Sequence, residues 1–121
     1  MTGRAHRGAM AHHGGLAAEA QVAECYAARG AAVLARRWRG GGAEIDLIVA
    51  EGATVVFVEV KRAATHAAAA ARVGAAQVRR LRVAAEAFLA TRPDGSLTDS
   101  RFDVALVDGT GRVEIVANAL L

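Results

Sequence analysis

The chain has 121 residues, which fits one compact domain, and its hydrophobic fraction of 54% is ample for a core. A formal net charge of +3 and an isoelectric point of about 10.0 favour a polyanionic partner such as nucleic acid, although so small a charge is weak evidence alone. The single cysteine, Cys25, excludes an internal disulfide framework and a multi-cysteine zinc site. No apolar run reaches bilayer length and no signal-peptide core is found, so we expect a cytoplasmic protein without membrane contact.

The first third of the chain predicts a tail, a helix and a strand. Residues 1–14 mix Gly, Ala, Arg and His without periodicity, which indicates a disordered basic tail, and residues 15–121 are expected to form a single domain. A helical pattern runs from about Leu16 to Arg29 and stops at Gly30. Residues 31–38 then predict a short strand.

The middle of the chain carries the strongest local signal, a β-hairpin. Residues 43–50 and 54–61 read as two strands joined by a tight turn at Glu51-Gly52, and a glycine turn at 40–42 precedes them. The hairpin therefore places two apolar strands next to each other near the centre of a sheet.

The last part of the chain predicts one long helix and two more strands. Residues 66–91 are alanine-rich and helical, and Arg92–Gly95 ends them with a turn. Residues 101–107 and 112–117 are strands around Asp108-Gly109. The order of helix, three strands, long helix and two strands predicts an α/β fold, with a central mixed five-stranded sheet and a helix on each side.

Acidic residues stand out on the hairpin. Side chains alternate along a strand, so Glu59 and Lys61 are expected on one side of the sheet. The same rule predicts for the preceding strand that Glu44, Asp46 and Ile48 share one face and Ile45, Leu47 and Val49 the other. If Asp46 lies beside Glu59, two like charges are close together and need neutralisation.

A third carboxylate, Glu19, falls on the apolar face of the first helix. A carboxylate in a core usually needs a partner, either an arginine or a divalent cation, with Mg²⁺ the default among hard ions. Two or three acids converging with Lys61 favour the cation, because a phosphodiester hydrolase needs acids to hold the metal and an amine near the reacting phosphate.

These residues match a known pattern. An Asp on one strand, Glu-x-Lys on the next and an upstream helical Glu resemble the PD-(D/E)xK nuclease superfamily. The chain resembles more closely the bacterial uncharacterised protein family 0102, the YraN-like proteins, over nearly the whole length after the tail. The motifs that carry this likeness are Gly15-x-x-x-Glu19, Tyr26 with Gly30, Glu44-Ile45-Asp46-Leu47-Ile48, Phe57-Val58-Glu59-Val60-Lys61, Arg101-Phe102-Asp103-Val104 and Asn118-Ala119.

The resemblance implies a restriction-endonuclease-like fold related to Holliday-junction resolvases. It also implies that Asp46 and Glu59 bind Mg²⁺ or Mn²⁺, that the Val60 carbonyl completes the metal shell, and that Lys61 is the catalytic lysine. Glu19 would be an auxiliary catalytic acid. The sequence departs from the family after Lys61, where an aromatic-glycine element is missing, and in the long helix.

Further polar residues have supporting or binding roles as hypotheses. In the long helix, Gln77 occupies a position where relatives often have lysine, and Glu44 is expected to support the site by bonding to turn backbone. Arg101 and Asp103 share a strand face and predict a local ion pair, with phosphate contact as the alternative. Cys25 is expected to be a small, partly buried side chain rather than a nucleophile.

Two groups of arginines are candidate contacts to nucleic acid. Arg36, Arg37 and Arg39 flank Trp38, whose indole would either stack on a base or cap the core. Arg72 and Arg79 share a stripe of the long helix that would either line a nucleic-acid groove or face solvent.

The leading functional hypothesis is a Mg²⁺-dependent endonuclease acting on DNA rather than RNA, and on branched or otherwise structured forms. The alternative is a catalytically weak nucleic-acid-binding module on a nuclease scaffold. A protein-interaction domain has no positive support. A homodimer is an open possibility, because the related resolvases act as symmetric dimers and paired cuts would require two sites.

Overall fold

The computed structural model describes residues 17–119, so the predicted tail over 1–14 lies outside the described residues. The described part begins in a helix, α1, over residues 17–28. The remaining elements are, in chain order, β1 (Ala32–Gly40), β2 (Ala43–Glu51), β3 (Thr54–Arg62), α2 (His66–Ala70), α3 (Ala75–Leu89), a 3₁₀ turn (Gly95–Leu97), β4 (Ser100–Val107) and β5 (Val113–Val116). No helix within residues 17–119 has the length and apolar character needed to cross a membrane.

The five strands form one sheet in the order β1-β2-β3-β4-β5. Only β3 and β4 run parallel, and the other neighbouring strands are antiparallel. Helix α1 packs on one face of this sheet, and α2 and α3 pack on the other. The predicted α/β class, a mixed five-stranded sheet flanked by helices, is therefore confirmed, and the arrangement is that of a restriction-endonuclease-like fold.

Glycines make the first hairpin tight. Gly41 and Gly42 both have positive φ, 61° and 83°, a backbone conformation that residues other than glycine adopt only at an energetic cost. Gly40 lies directly under the Trp38 indole, because a Cβ added to Gly40 would stand 2.2 Å from the ring. The indole also meets Phe88 edge to face at 5.3 Å between ring centroids. Trp38 therefore caps the core, one of its two predicted roles.

The prediction of one helix over 66–91 is wrong. The chain forms α2, breaks at residues 71–74 and begins α3 after Gly74, whose backbone is extended. Helix α2 contacts β3 and β4, whereas α3 contacts β1 and β2. The two helices thus cover different halves of one sheet face, and the uniform run of alanines conceals the break from sequence-based reasoning.

The alternation predicted for β2 is wrong at one residue. Ile45 packs with Ile48 against α3, whereas Leu47 and Val49 pack against α1. The strand therefore changes the face to which its side chains point at Asp46. In the neighbouring β1, Arg37 has a positive φ of 50°, so the irregularity affects both strands of the pair.

The sheet opens into a fork next to this irregularity. The pairing of β2 with β3 ends at Leu47 and Val58, although both strands continue. Beyond that point β2 stays paired with β1 as far as Ala43, and β3 stays paired with β4 as far as Arg62. The fork leaves space between two central strands.

A buried polar network holds α1 to the sheet at β4. Asp103 is fully buried and accepts hydrogen bonds from the Tyr26 hydroxyl (2.6 Å), the Arg101 Nε (3.0 Å) and the Asn118 backbone amide (3.0 Å). Arg101 also pairs with Glu51. The predicted Arg101–Asp103 ion pair is confirmed, and its position in the interior indicates a structural role.

Candidate functional site

The fork leaves backbone groups of β3 without a strand partner, and Asp46 supplies one. The Val60 amide donates a hydrogen bond of 2.8 Å to Oδ2 of Asp46. A partly buried amide without an acceptor is costly, so this bond fixes the Asp46 side chain inside the fork. The Asp46 carboxylate thus takes the place of a strand partner where β2 and β3 separate.

Glu59 lies beside Asp46. Its side chain is only 5% exposed, and its carboxyl is within hydrogen-bonding reach of the Asp46 carboxyl. Burial, and then the hydrogen bond to Asp46 and the charge of Asp46, raise the pKa of Glu59 to about 9. Two carboxyls so close share one negative charge until a cation neutralises them.

Two further side chains contact the Glu59 carboxyl. The side-chain amide of Gln77, on α3, donates a hydrogen bond to Glu59 Oε2. The Lys61 Nζ lies 3.7 Å from the same oxygen, and both contacts partly offset the rise in the Glu59 pKa. The structure thus brings together the predicted Asp46, Glu59 and Lys61, with Gln77 beside them.

The raised pKa of Glu59 predicts how stability depends on pH without metal. The ordinary pKa is 4.5 and the folded value is about 9, so between these values the folded chain holds a proton that the unfolded chain releases. The contribution of Glu59 to the free energy of unfolding is therefore full below pH 4.5 and is lost as the pH rises towards 9. Urea unfolding in EDTA should show this loss in the wild type and much less of it in Glu59→Gln. An equal slope in both proteins would contradict the assignment.

An open cleft of about 270 Å³ lies at the fork. Its wall carries the polar residues Glu19, Asp46, Lys61, Arg62 and Arg72, together with Ala18 and Val60. Burial, and then the charge of Asp46, raise the pKa of Glu19, whose carboxylate also lies 3.9 Å from Arg37 Nε. Glu19 therefore faces the acidic centre and has the arginine partner that was one of its two predicted environments, and binding of a cation by Glu19 stays a prediction.

The acids present are compatible with a hard divalent cation. Among residues 17–119 no group of three or more His, Cys, Asp or Glu side chains is placed to hold a metal ion by itself. Mg²⁺ commonly binds through one or two carboxylates, several waters and a substrate phosphate, so the Asp46–Glu59 pair beside an open cleft fits it. Val60 lines the cleft, and a role for its carbonyl stays a prediction.

The arginines around Trp38 are divided between ion pairs and solvent. Glu44 binds the guanidinium groups of Arg37 (3.3 Å) and Arg39 (3.1 Å), so its expected bond to turn backbone is replaced by these ion pairs. Arg36 is exposed. Contact of these three arginines with nucleic acid stays a prediction.

The predicted stripe of Arg72 and Arg79 on one helix is wrong. Arg72 lies in the break between α2 and α3 and lines the cleft, whereas Arg79 is exposed on α3. The sequence-based reasoning also missed Arg62, which lines the cleft at the end of β3. Its position directly after Lys61 was the available signal. Cys25 is half-buried, as expected.

Comparison with known proteins assigns the chain to a family. The family model described as "Uncharacterised protein family UPF0102" matches residues 18–107. The chain belongs to this family. A UPF0102 protein of Cereibacter sphaeroides is 56% identical over 93% of this chain and 96% of its own length. UPF0102 proteins of Ruegeria pomeroyi (56% identity; 98% and 97% coverage) and Dinoroseobacter shibae (46%; 95% and 86%) match similarly.

The UPF0102 match covers the whole candidate site. It extends from α1 to the end of β4 and thus includes Glu19, the fork with Asp46 and Glu59, Lys61 and Gln77. The predicted resemblance to this family is confirmed.

Proposed function

We propose that this UPF0102 protein is a Mg²⁺- or Mn²⁺-dependent endonuclease that hydrolyses phosphodiester bonds in DNA. The observation that carries the proposal is the placement of the Asp46 and Glu59 carboxyls within hydrogen-bonding reach of each other in a sheet fork, with Lys61 Nζ 3.7 Å from Glu59. A buried pair of acids with an adjacent amine, open to a cleft, is suited to binding a cation and a phosphate together.

The chain's own residues have separable tasks in this reaction. A divalent cation bound by Asp46 and Glu59 would stabilise charge on the phosphate and lower the pKa of an attacking water. The Val60 amide holds Asp46 in place, and Gln77 holds Glu59. Lys61 supplies a positive charge beside the negative charge that develops on the phosphoryl group.

Support for nucleic acid as the substrate comes from charge. The chain carries a net charge of +3, and Arg36, Arg62 and Arg72 are exposed. DNA is preferred over RNA on the resemblance to the PD-(D/E)xK nucleases, and the same resemblance predicts products with 5′-phosphate and 3′-hydroxyl ends. Branched or structured DNA follows from the relation to resolvases.

One observation favours a second candidate, a nucleic-acid-binding module with little catalysis. Glu59 with a pKa near 9 holds a proton at neutral pH and has Asp46 and Gln77 as hydrogen-bond partners, so the acid pair is satisfied without a metal. A module of this kind would bind DNA through its arginines and leave it intact.

A single cleavage assay distinguishes the endonuclease from the binding module. Labelled linear, flapped and four-way-junction DNA, with an RNA of the same sequence, would be incubated with the protein in Mg²⁺, Mn²⁺ or EDTA. We expect cleavage of DNA in either metal and none in EDTA, and loss of cleavage in Lys61→Met. Binding without cleavage in every metal would instead establish the module.

A further inference from the structure

We propose that Arg62 and Arg72 form a binding subsite for the sugar–phosphate chain where it leaves the acidic cleft, through a second cavity next to it. The inference rests on the proposed function only in taking the same polymer, a nucleic-acid strand. It concerns binding and is tested without catalysis.

The two cavities are contiguous at these arginines. The second cavity measures about 340 Å³ and is lined by Arg62, Ala63, Arg72, Asp108 and Gly109. Arg62 and Arg72 also line the acidic cleft. A chain that passes from the cleft into the second cavity must therefore run beside both guanidinium groups.

The fold presents the two arginines at the end of one strand. Arg62 is the last residue of β3 and follows Lys61, so strand alternation directs its side chain away from the face that Lys61 and Glu59 occupy. Arg72 belongs to the break after α2, which packs on the same sheet face as Lys61 and Glu59, and its backbone amide donates a hydrogen bond to the Ala69 carbonyl (3.1 Å). The two side chains approach the strand end from different elements.

Neither guanidinium is engaged elsewhere in the described part of the chain. Arg62 and Arg72 are exposed, and within residues 17–119 neither side chain forms a hydrogen bond or an ion pair. Other arginines of the described residues are paired: Arg29 and Arg101 with Glu51, and Arg37 and Arg39 with Glu44. Arg62 and Arg72 thus keep their full capacity for bidentate bonds to phosphate.

Electrostatics explains why such a subsite belongs here. A phosphate that approaches Asp46 and Glu59 meets negative charge, and two flanking guanidinium groups offset this repulsion. Asp108 also lines the second cavity, but its Oδ1 accepts hydrogen bonds within its own turn, from the Thr110 amide and hydroxyl and from the Arg112 amide. The Asp108 carboxylate is thereby hydrogen-bonded within its own turn, and the guanidinium groups of Arg62 and Arg72 stay available to a ligand.

The test is DNA binding in EDTA, where cleavage does not interfere. Fluorescence anisotropy with labelled single-stranded DNA, duplex DNA and RNA would compare the wild type with the double variant Arg62→Ala/Arg72→Ala. We expect the affinity of the double variant for DNA to fall about tenfold or more. The slope of log K against log salt should fall by about 2, one unit for each lost phosphate contact.

A matched control separates position from net charge. Arg80→Ala/Arg82→Ala removes two arginine charges from exposed positions of α3 and touches neither cavity. We expect its affinity to stay within about twofold of the wild type, the size of ordinary surface electrostatics. An equal loss in both double variants would overturn the subsite, as would an unchanged salt slope in Arg62→Ala/Arg72→Ala.

A further comparison identifies the ligand. Inorganic phosphate at millimolar concentration should compete poorly with the oligonucleotide, because a single phosphate does not span the cavity and the cleft. Complete competition would show a free-phosphate site and overturn the assignment to a chain. If Arg62→Ala/Arg72→Ala loses binding and the wild type does not cleave DNA in Mg²⁺, the nuclease is refuted and the subsite is retained. If the wild type cleaves DNA and Arg62→Ala/Arg72→Ala binds DNA as well as the wild type does, the subsite is refuted and the nuclease is retained.

Discussion

Asp46→Asn should lower the rate of DNA cleavage by about 10² to 10³-fold, the size of loss seen when one preorganised electrostatic contact to a transition state is removed. The asparagine side chain still offers an oxygen to the Val60 amide, so the bond that fixes residue 46 in the fork can persist. What disappears is the negative charge that holds a cation. Single-turnover cleavage of labelled DNA in Mg²⁺ measures this effect separately from binding.

The same substitution should stabilise the metal-free protein at about pH 9 and above, where Glu59 has lost its proton, because it removes the like charge beside Glu59. Loss of activity with a gain in stability is the signature of a functional site rather than a structural ion pair. Glu24→Gln, an exposed carboxylate of α1, is the control with the same change of charge. A cleavage rate for Asp46→Asn within a fewfold of this control would contradict the assigned role.

Asp103→Ala should be the most destabilising single change in the chain, at about 3–5 kcal/mol of unfolding free energy. The substitution leaves the buried Tyr26 hydroxyl, the Asn118 amide and the Arg101 guanidinium without the acceptor they share. For a domain of this size the loss corresponds to roughly 10–20 °C in melting temperature. Thermal unfolding followed by circular dichroism would measure it.

Two further variants define the origin of that effect. Tyr26→Phe removes only one donor and should cost about 1–2 kcal/mol. Asp99→Ala, an exposed aspartate just before β4, removes the same charge and should change the melting temperature little. If Asp103→Ala melted within a few degrees of Asp99→Ala, the network would not be the anchor of α1.

Sequence reasoning was sufficient where one local rule determined the structure. The alternation along β3 put Glu59 and Lys61 on one side, and the two lie 3.7 Å apart. Gly30, with a φ of 88°, ends α1 where it was expected to. The order of the elements and the mixed sheet also followed from hydrophobic periodicity, which depends mainly on which residues face the core.

The fork could not be predicted because it breaks the rule that sequence reasoning applies. Ile45 and Leu47 are both apolar and two residues apart, so alternation puts them on one face, yet they pack on opposite faces of the sheet. The deviation is a property of the pair of strands, with Arg37 in the left-handed region opposite it. Tertiary packing therefore overrode the local period at the residue that carries the candidate chemistry.

The helix break had a similar consequence for the arginines. An alanine run has high helix propensity throughout, and only Gly74 suggested an interruption. Because of the break, Arg72 lies at the cleft and not on a stripe with Arg79, so the two arginines that line the cleft, Arg62 and Arg72, come from different elements. The side-chain amide of Gln77 donates a hydrogen bond to Glu59, and its supporting role stays a prediction.

The most direct test of the account is the binding of a divalent cation to the purified chain, measured by calorimetric titration with Mn²⁺ at several pH values. We expect one ion for each chain in the wild type, with an affinity that rises as the pH approaches 9. Binding below that pH should release a proton, since Glu59 must lose its proton to bind, and the release should decline as the pH approaches and passes 9. Asp46→Asn and Glu59→Gln should both lose this binding, and Glu24→Gln should keep it. Unchanged Mn²⁺ binding in Asp46→Asn and Glu59→Gln, or no binding by the wild type, would contradict the claim that this pair of acids is a metal site.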